Sequence, residues 1–252
     1  MTSYFFQVKD VIRESDMIIE VVDARFPQES RNFELEHAIK KHGKSLLIVM
    51  TKADLVPESF LKKAASLISK TVPVVYISTK ERHGTRKLFD TIKKMRNGKS
   101  VTIGVFGYPN VGKSSLINVL KGRHSAGTSP IPGYTKGRQL FRLEKNVMLI
   151  DTPGVAPLRG KKSLFLKGAI GMHQVRDIQE SVINLLAELI VKGAKKAIEE
   201  HYGLQLNDPT DFLVSFADKY NLRLKGNKLD TRRAAEKIYT DWLRGRLTFY
   251  WL

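Results

Sequence analysis

The 252-residue sequence predicts an α/β fold: a mostly parallel six-stranded sheet with helices on both faces, followed by a small all-α region. Three observations carry this. Short apolar runs alternate with amphipathic segments as far as residue 151, the pattern of a parallel sheet covered on both faces. The stretch GYPNVGKS, residues 107–114, stands between one such run and a helical segment. From about residue 165 helical periodicity continues and no convincing strand appears, so the expected domains are 1–165 and 166–252.

Taken in order, residues 4–15 carry apolar positions at helical spacing, and DMIIEVVDAR, 16–25, reads as a buried strand running into a loop. NFELEHAIKKHG is a helix closed by Gly43. KSLLIVM is a strand ending at TKAD, 51–54; SFLKKAASLISK is helical, PVVYIS is a strand, and GTRKLFDTIKKMRNG is a helix with a glycine stop. SVTIGVFG is strongly β-prone and delivers the glycine-rich loop, which opens onto the helix KSSLINVLKG. After a Gly/Pro-rich segment, GRHSAGTSPIPGYTKGR, the runs QLFRLEK and NVMLID are close enough to pair as a hairpin. The segments DIQESVINLLAELIVKGAKKAIEEHYG, TDFLVSFADKYN and DTRRAAEKIYTDWLRG are helical.

Composition narrows the partners. Forty-three Lys and Arg against twenty-five Asp and Glu give a formal charge of +18, which suits a polyanion, with nucleic acid ahead of an acidic membrane surface. The absence of cysteine excludes disulfides and thiolate metal sites. No apolar run reaches the roughly 18 residues of a membrane span. MTSYFFQVKD lacks the pattern of a secretory signal, so the expected location is the cytoplasm.

The loop carries the chemistry. A Gly-x-x-x-x-Gly-Lys-Ser turn between strand and helix aims backbone N–H groups, including those of Val111, Gly112 and Ser115, at a phosphate, and the helix dipole adds positive character. Lys113 would reach the β and γ phosphates and Ser114 would hold Mg²⁺. In DTPG, 151–154, Asp151 at a strand end can hold that magnesium through water, and Gly154 leaves an N–H for the γ phosphate. Thr135 in PGYT is placed to complete the magnesium shell, with Thr128 the competing candidate. The Asp54 carboxylate can accept from the N1–H and 2-amino group of guanine, donors that adenine lacks, which sets an ATPase reading last. Lys52 can lay its stem on the ring, and Ser78 and Thr79, ending IST, can present a backbone N–H to guanine O6.

The five signatures, in the order TKAD, IST, GYPNVGKS, PGYT, DTPG, resemble those of translation-factor-like GTPases with the two base-reading loops moved ahead of the phosphate loop. This order is similar to that of the circularly permuted GTPases of the YlqF/RbgA and YawG type. DMIIEVVDAR and KLDTRRAAEKIYTDWLRGRLTFY resemble that branch's first strand and C-terminal segment. The resemblance implies a circularly permuted P-loop GTPase domain with GTP/GDP and Mg²⁺ as ligands. It also implies that Lys113, Thr135 and Gly154 serve γ-phosphate chemistry, and that ribosomal RNA or the assembling large ribosomal subunit is the partner. DNA is not an expected partner, and the chain is expected to be a monomer. Asn110 resembles an asparagine that helps bind K⁺ beside the phosphates.

Two departures stand out. Thr51 replaces the commoner Asn and offers one hydroxyl instead of an amide, so a looser tie between base loop and phosphate loop is expected. Val155 stands where Ras-like enzymes have a water-orienting glutamine. The Pro-Gly-His-Met segment the family is thought to use is missing from the start of the sequence, and neither His124 nor His173 is assigned as a base. Turnover is therefore expected to be slow until a partner stimulates it. Arg232, Arg233, Lys237, Arg244 and Arg246 surround an apolar stripe of Ala234, Ile238 and Trp242, and are read as an RNA-contacting face. The reading from a different class is a non-catalytic GTP-sensing module that docks a protein or an acidic membrane.

Overall fold

The computed structural model describes residues 9–122, 139–144, 146–151, 177–247 and 249–252. The chain divides into two compact units, one of Met1–Pro157 with Leu252 and the other of Leu158–Trp251.

The first unit is a six-stranded sheet in the order β3-β2-β1-β4-β6-β5. Its strands are β1 (Met17–Asp23), β2 (Ser45–Thr51), β3 (Val74–Tyr76), β4 (Val101–Gly107), β5 (Gln139–Glu144) and β6 (Val147–Asp151). All neighbours are parallel except β5 and β6, which form the expected antiparallel pair. Every residue of β1 is buried, as a central strand covered on both faces requires.

Helices α1 (Phe33–Lys41) and α2 (Glu58–Ser69) return the chain from β1 to β2 and from β2 to β3. Asn32 caps α1 by accepting from the Leu35 N–H, Glu34 and Glu36 occupy its first turn, and Lys40 and Lys41 its last, all favourable to the helix dipole. Val22, Ile48 and Met50 pack with Leu61, Ala64 and Ile68 of α2, while Ile18, Phe106 and Ile150 pack with Leu35 and Ile39 of α1. Helices α3 (Thr85–Arg96) and α4 (Lys113–Gly122) follow β3 and β4. The β3-to-β4 connection runs back across the sheet, so a right-handed crossover puts α3 on the face opposite α1 and α2. The chain moves outward in one direction from β1 and in the other from β4. The crevice between the carboxyl ends of these two strands is the topological switch point, where doubly wound sheets bind ligands.

The described part of the second unit is helical: α5 (Ile178–Val191), α6 (Lys195–Tyr202), α7 (Pro209–Lys219) and α8 (Thr231–Arg244). The sequence predicts one helix through α5 and α6; the structure breaks it at Gly193, whose φ of 90° no helical residue adopts. Asp177, Asp208 and Asp230 cap α5, α7 and α8 with their side chains, and Gly245 ends α8 in the left-handed conformation. Ala234, Ala235, Ile238, Tyr239 and Trp242 form the buried stripe of α8, and Trp251 stacks on Trp242 at 6.2 Å. Among the described residues, no helix is long and apolar enough to cross a membrane.

Candidate functional site

The base-reading loop begins where β2 ends. Thr51 is the last strand residue, Lys52 is left-handed at φ 59°, and Ala53–Leu55 form one 3₁₀ turn that brings Asp54 to the edge of the sheet. The Ala53 N–H donates to the Ile77 carbonyl, which ties this turn to the loop after β3. There the buried Ser78 donates its hydroxyl to Asp54 Oδ1 at 2.7 Å and accepts from the Glu81 N–H at 3.0 Å. One carboxylate oxygen of Asp54, Oδ1, is thereby held in place by the protein. Thr79 follows, half-buried. The two loops predicted to read a base therefore lie together, and Ser78 acts through its hydroxyl as well as its backbone.

A buried ion cluster backs these loops, and sequence reasoning did not assign it. Asp23 at the end of β1 receives Arg25 in a two-pronged contact, Nε to Oδ1 at 3.0 Å and Nη2 to Oδ2 at 2.9 Å. Lys52 Nζ adds a third bond to Oδ2 at 2.7 Å. Burial alone would raise the Asp23 carboxyl, but the charges and hydrogen bonds of Arg25 and Lys52 outweigh it and hold the group well below the usual carboxylate range. Burial lowers the Lys52 ammonium, with Asp23 opposing that shift. The available signal was DAR itself, two opposite charges closing an otherwise apolar strand.

The phosphate loop leaves β4 next to this cluster. Asn110 is exposed and left-handed at φ 60°, Val111 is buried, and Gly112 has φ 103°. A Cβ on Gly112 would stand 3.0 Å from Thr51 Oγ1, so a glycine lets the base loop and phosphate loop close on each other. Thr51 Oγ1 contacts the carbonyls of Val111 and, at 3.1 Å, of Val22. This corrects the expectation of a looser tie. One hydroxyl suffices because the two loops meet at the missing side chain. Lys113 is buried and donates to the Tyr108 carbonyl at 3.2 Å, and Ser114 and Ser115 are exposed in the first turn of α4, where N–H groups have no intrahelical partner.

The structure thus brings Thr51, Lys52, Asp54, Ser78, Thr79, Asn110, Val111, Gly112, Lys113, Ser114 and Ser115 to the loops at the carboxyl ends of β2, β3 and β4. Asp151 closes β6 at the same edge. Its side chain lies outside the described residues, as do Thr135, Thr128, Gly154, Val155, His124 and His173. Among the described residues no group of three His, Asp or Glu could hold a metal, and of the expected magnesium ligands only the Ser114 side chain lies among them.

Sheet order, the phosphate loop on a central strand and base loops that precede it in the chain define a circularly permuted P-loop nucleotide-binding fold. A family model described as "50S ribosome-binding GTPase" matches residues 102–215, which begins at β4 and leaves the base loops ahead of it. The chain is 37% identical over 247 residues to an uncharacterized GTP-binding protein of Methanocaldococcus jannaschii, covering 96% of this chain and 65% of that protein. It is 33% identical over 251 residues to nuclear/nucleolar GTPase 2 of Arabidopsis thaliana, covering 95% and 43%. Among solved structures, GNP-bound YlqF from T. maritima superimposes with a TM-score of 0.67 at 24% identity, over 96% of this chain and 94% of that one, a likeness of fold. By sequence the chain is similar to GTP-binding proteins, and its fold is that of YlqF. It spans 65% or less of the length of the curated relatives named.

Proposed function

We propose that the protein binds GTP with Mg²⁺, hydrolyses it slowly, and uses the nucleotide state as a cytoplasmic switch in assembly of the large ribosomal subunit, contacting ribosomal RNA. The observation that carries the nucleotide part is the held carboxylate of Asp54. Ser78 fixes one oxygen, so the other accepts from guanine in a defined direction, and adenine would leave that carboxylate without its donors. Lys113 and the first-turn N–H groups of α4 supply the phosphate cradle, Ser114 the magnesium hydroxyl, and Asn110 a ligand for K⁺. Asp151, Thr135 and Gly154 complete the γ-phosphate side in this reading. The ribosomal part is supported by the description of the matching family and by the nucleolar names of relatives.

Competition binding of GTP, XTP and ATP tests the base site. Asp54→Asn is expected to weaken GTP and favour XTP, because xanthine puts a carbonyl where guanine has its 2-amino group; an unchanged preference removes Asp54 from base recognition. Hydrolysis is expected to be faster in potassium than in sodium at equal ionic strength, and equal rates there and in Asn110→Ala dismiss the ion.

A further inference from the structure

The net charge of +18 is distributed unevenly. Residues 80–99 hold eight Lys and Arg against two acidic residues, one third of the chain's net charge in twenty positions. The described helical residues 177–252 hold twelve against eleven and are close to neutral. Among the described residues, the segment that follows Ser78 and forms α3 carries the largest share of the net positive charge.

Local stability does not account for this segment. The dipole of α3 favours Lys93, Lys94 and Arg96 in its last turn but opposes Arg86 and Lys87 in its first, where no acidic residue stands. At 100° per residue, Arg86, Lys93 and Lys94 share one arc of the helix with Lys87 at its margin, opposite the buried Leu88 and Ile92. Lys80 and Arg82, exposed in the preceding loop, extend the surface. Lys80, Arg82, Lys93 and Lys94 enter no ion pair among the described residues, and the pair Arg86–Asp90 is 4.0 Å long with both side chains in solvent. None of the large exposed apolar side chains of the described residues lies in 80–99, so the surface lacks what a membrane-inserting helix needs. Fixed cations over about 18 Å of helix, with no apolar wedge, suit a phosphodiester backbone.

We propose that the exposed face of α3 with the loop 80–83 is a second nucleic-acid surface, located on the nucleotide-binding unit, that holds the phosphate backbone of RNA. It rests on the RNA-binding reading above and adds a place for it that the sequence reading, centred on the C-terminal helix, did not name. The surface is joined to the base site through short covalent and hydrogen-bonded steps. Ser78, which holds Asp54, exchanges both backbone hydrogen bonds with His83, at 3.0 and 3.1 Å, and α3 starts two residues later.

The test is fluorescence anisotropy of a labelled RNA hairpin across a KCl series. The proteins compared are the wild type, Lys80→Gln/Arg86→Gln/Lys93→Gln/Lys94→Gln, and a control that loses the same charge from the opposite sheet face, Lys40→Gln/Lys41→Gln/Lys62→Gln/Lys63→Gln. Circular dichroism and GTP-analogue affinity verify that both variants fold. The α3 variant is expected to lose at least tenfold in affinity and to flatten the log–log salt slope by about 3, at roughly 0.7–0.9 per phosphate contact, while the control keeps the wild-type slope. Equal losses in both variants, or none in either, overturn the surface. Loss of binding to phosphatidylserine vesicles with RNA binding intact assigns the face to a membrane and overturns it too. A wild type that binds no RNA overturns the RNA reading itself, an outcome distinct from a binding wild type with an indifferent α3.

Discussion

The two units differ in what they bury. Among the described residues, every buried polar or charged side chain other than tyrosine lies in the first unit: Ser15, Glu20, Asp23, Arg25, Ser30, Arg31, Thr51, Ser78 and Lys113. The second unit buries Ile, Leu, Phe, Ala, Tyr and Trp, with Tyr202 reaching Asp241 as a polar exception at its margin. Buried polarity is costly unless paired, and it persists where a ligand must be met in one geometry. Five of the nine, Asp23, Arg25, Thr51, Ser78 and Lys113, stand at the nucleotide edge of the sheet. The helical unit, by contrast, is held by aromatic and aliphatic packing that needs no directional bonds.

The largest expected effect breaks the polar side. Asp23→Ala leaves the buried Arg25 and the half-buried Lys52 without their shared counter-charge and should cost about 3–5 kcal/mol, with weakened GTP binding because Lys52 loses its anchor. Urea unfolding followed by circular dichroism, with nucleotide titration, measures both; wild-type stability would mean that the two cations find other partners. Ile238→Ala, in the apolar stripe of α8, should cost about 3 kcal/mol through lost transfer energy and a cavity. Trp242 and Trp251 are the chain's two tryptophans, so their emission reads the second unit. The contrast between units fails if that emission transition moves as far for Asp23→Ala as for Ile238→Ala.

Acid and base should act on the first unit with opposite signs. Asp23 titrates lower folded than unfolded, so its contribution is full above the unfolded value of about 3.9 and is lost as pH falls below it. Glu20 is buried in mid-strand, accepts from the Asn32 N–H at 2.6 Å, and leaves Oε2 without a partner. Burial, with Glu36 nearby, raises its carboxyl well above the ordinary value. Its cost therefore grows as pH rises from about 4.3 through the folded value. Glu20→Gln keeps the acceptor for Asn32 and should stabilise the protein at neutral pH, removing that part of the pH profile. Thermal unfolding of both proteins from pH 5 to 8 decides it, and parallel profiles would clear Glu20 of the role. The smallest effect belongs to the solvent face of α8, where Arg233→Gln should change stability by less than about 0.5 kcal/mol.

Much of this was legible because local rules and the tertiary fold agree. The phosphate loop needs its spacing, Asp54 needs its place after a strand, and α4 runs over the predicted residues 113–122. The break at Gly193 was not, since helical periodicity continues on both sides and only a backbone angle separates α5 from α6. Asp23 and Arg25 were seen as a motif without a role, because their third member, Lys52, arrives from a neighbouring strand. Thr51 was read against the asparagine it replaces, whereas the deciding neighbour is the side chain that Gly112 lacks.

The permuted order also sets a timetable. A ribosome delivers the chain from its amino end, so β1, β2 and β3 emerge with their base-reading loops before the phosphate loop exists. During that interval the flank of β1 that will pair with β4 is an unpaired strand edge at the centre of the future sheet, and Thr51 waits for the Val111 carbonyl. The nascent half is thus a sheet whose central, fully buried strand is open to other chains. Closure comes only when residues 101–107 are free to add on, which makes β4 the strand whose arrival ends the exposure.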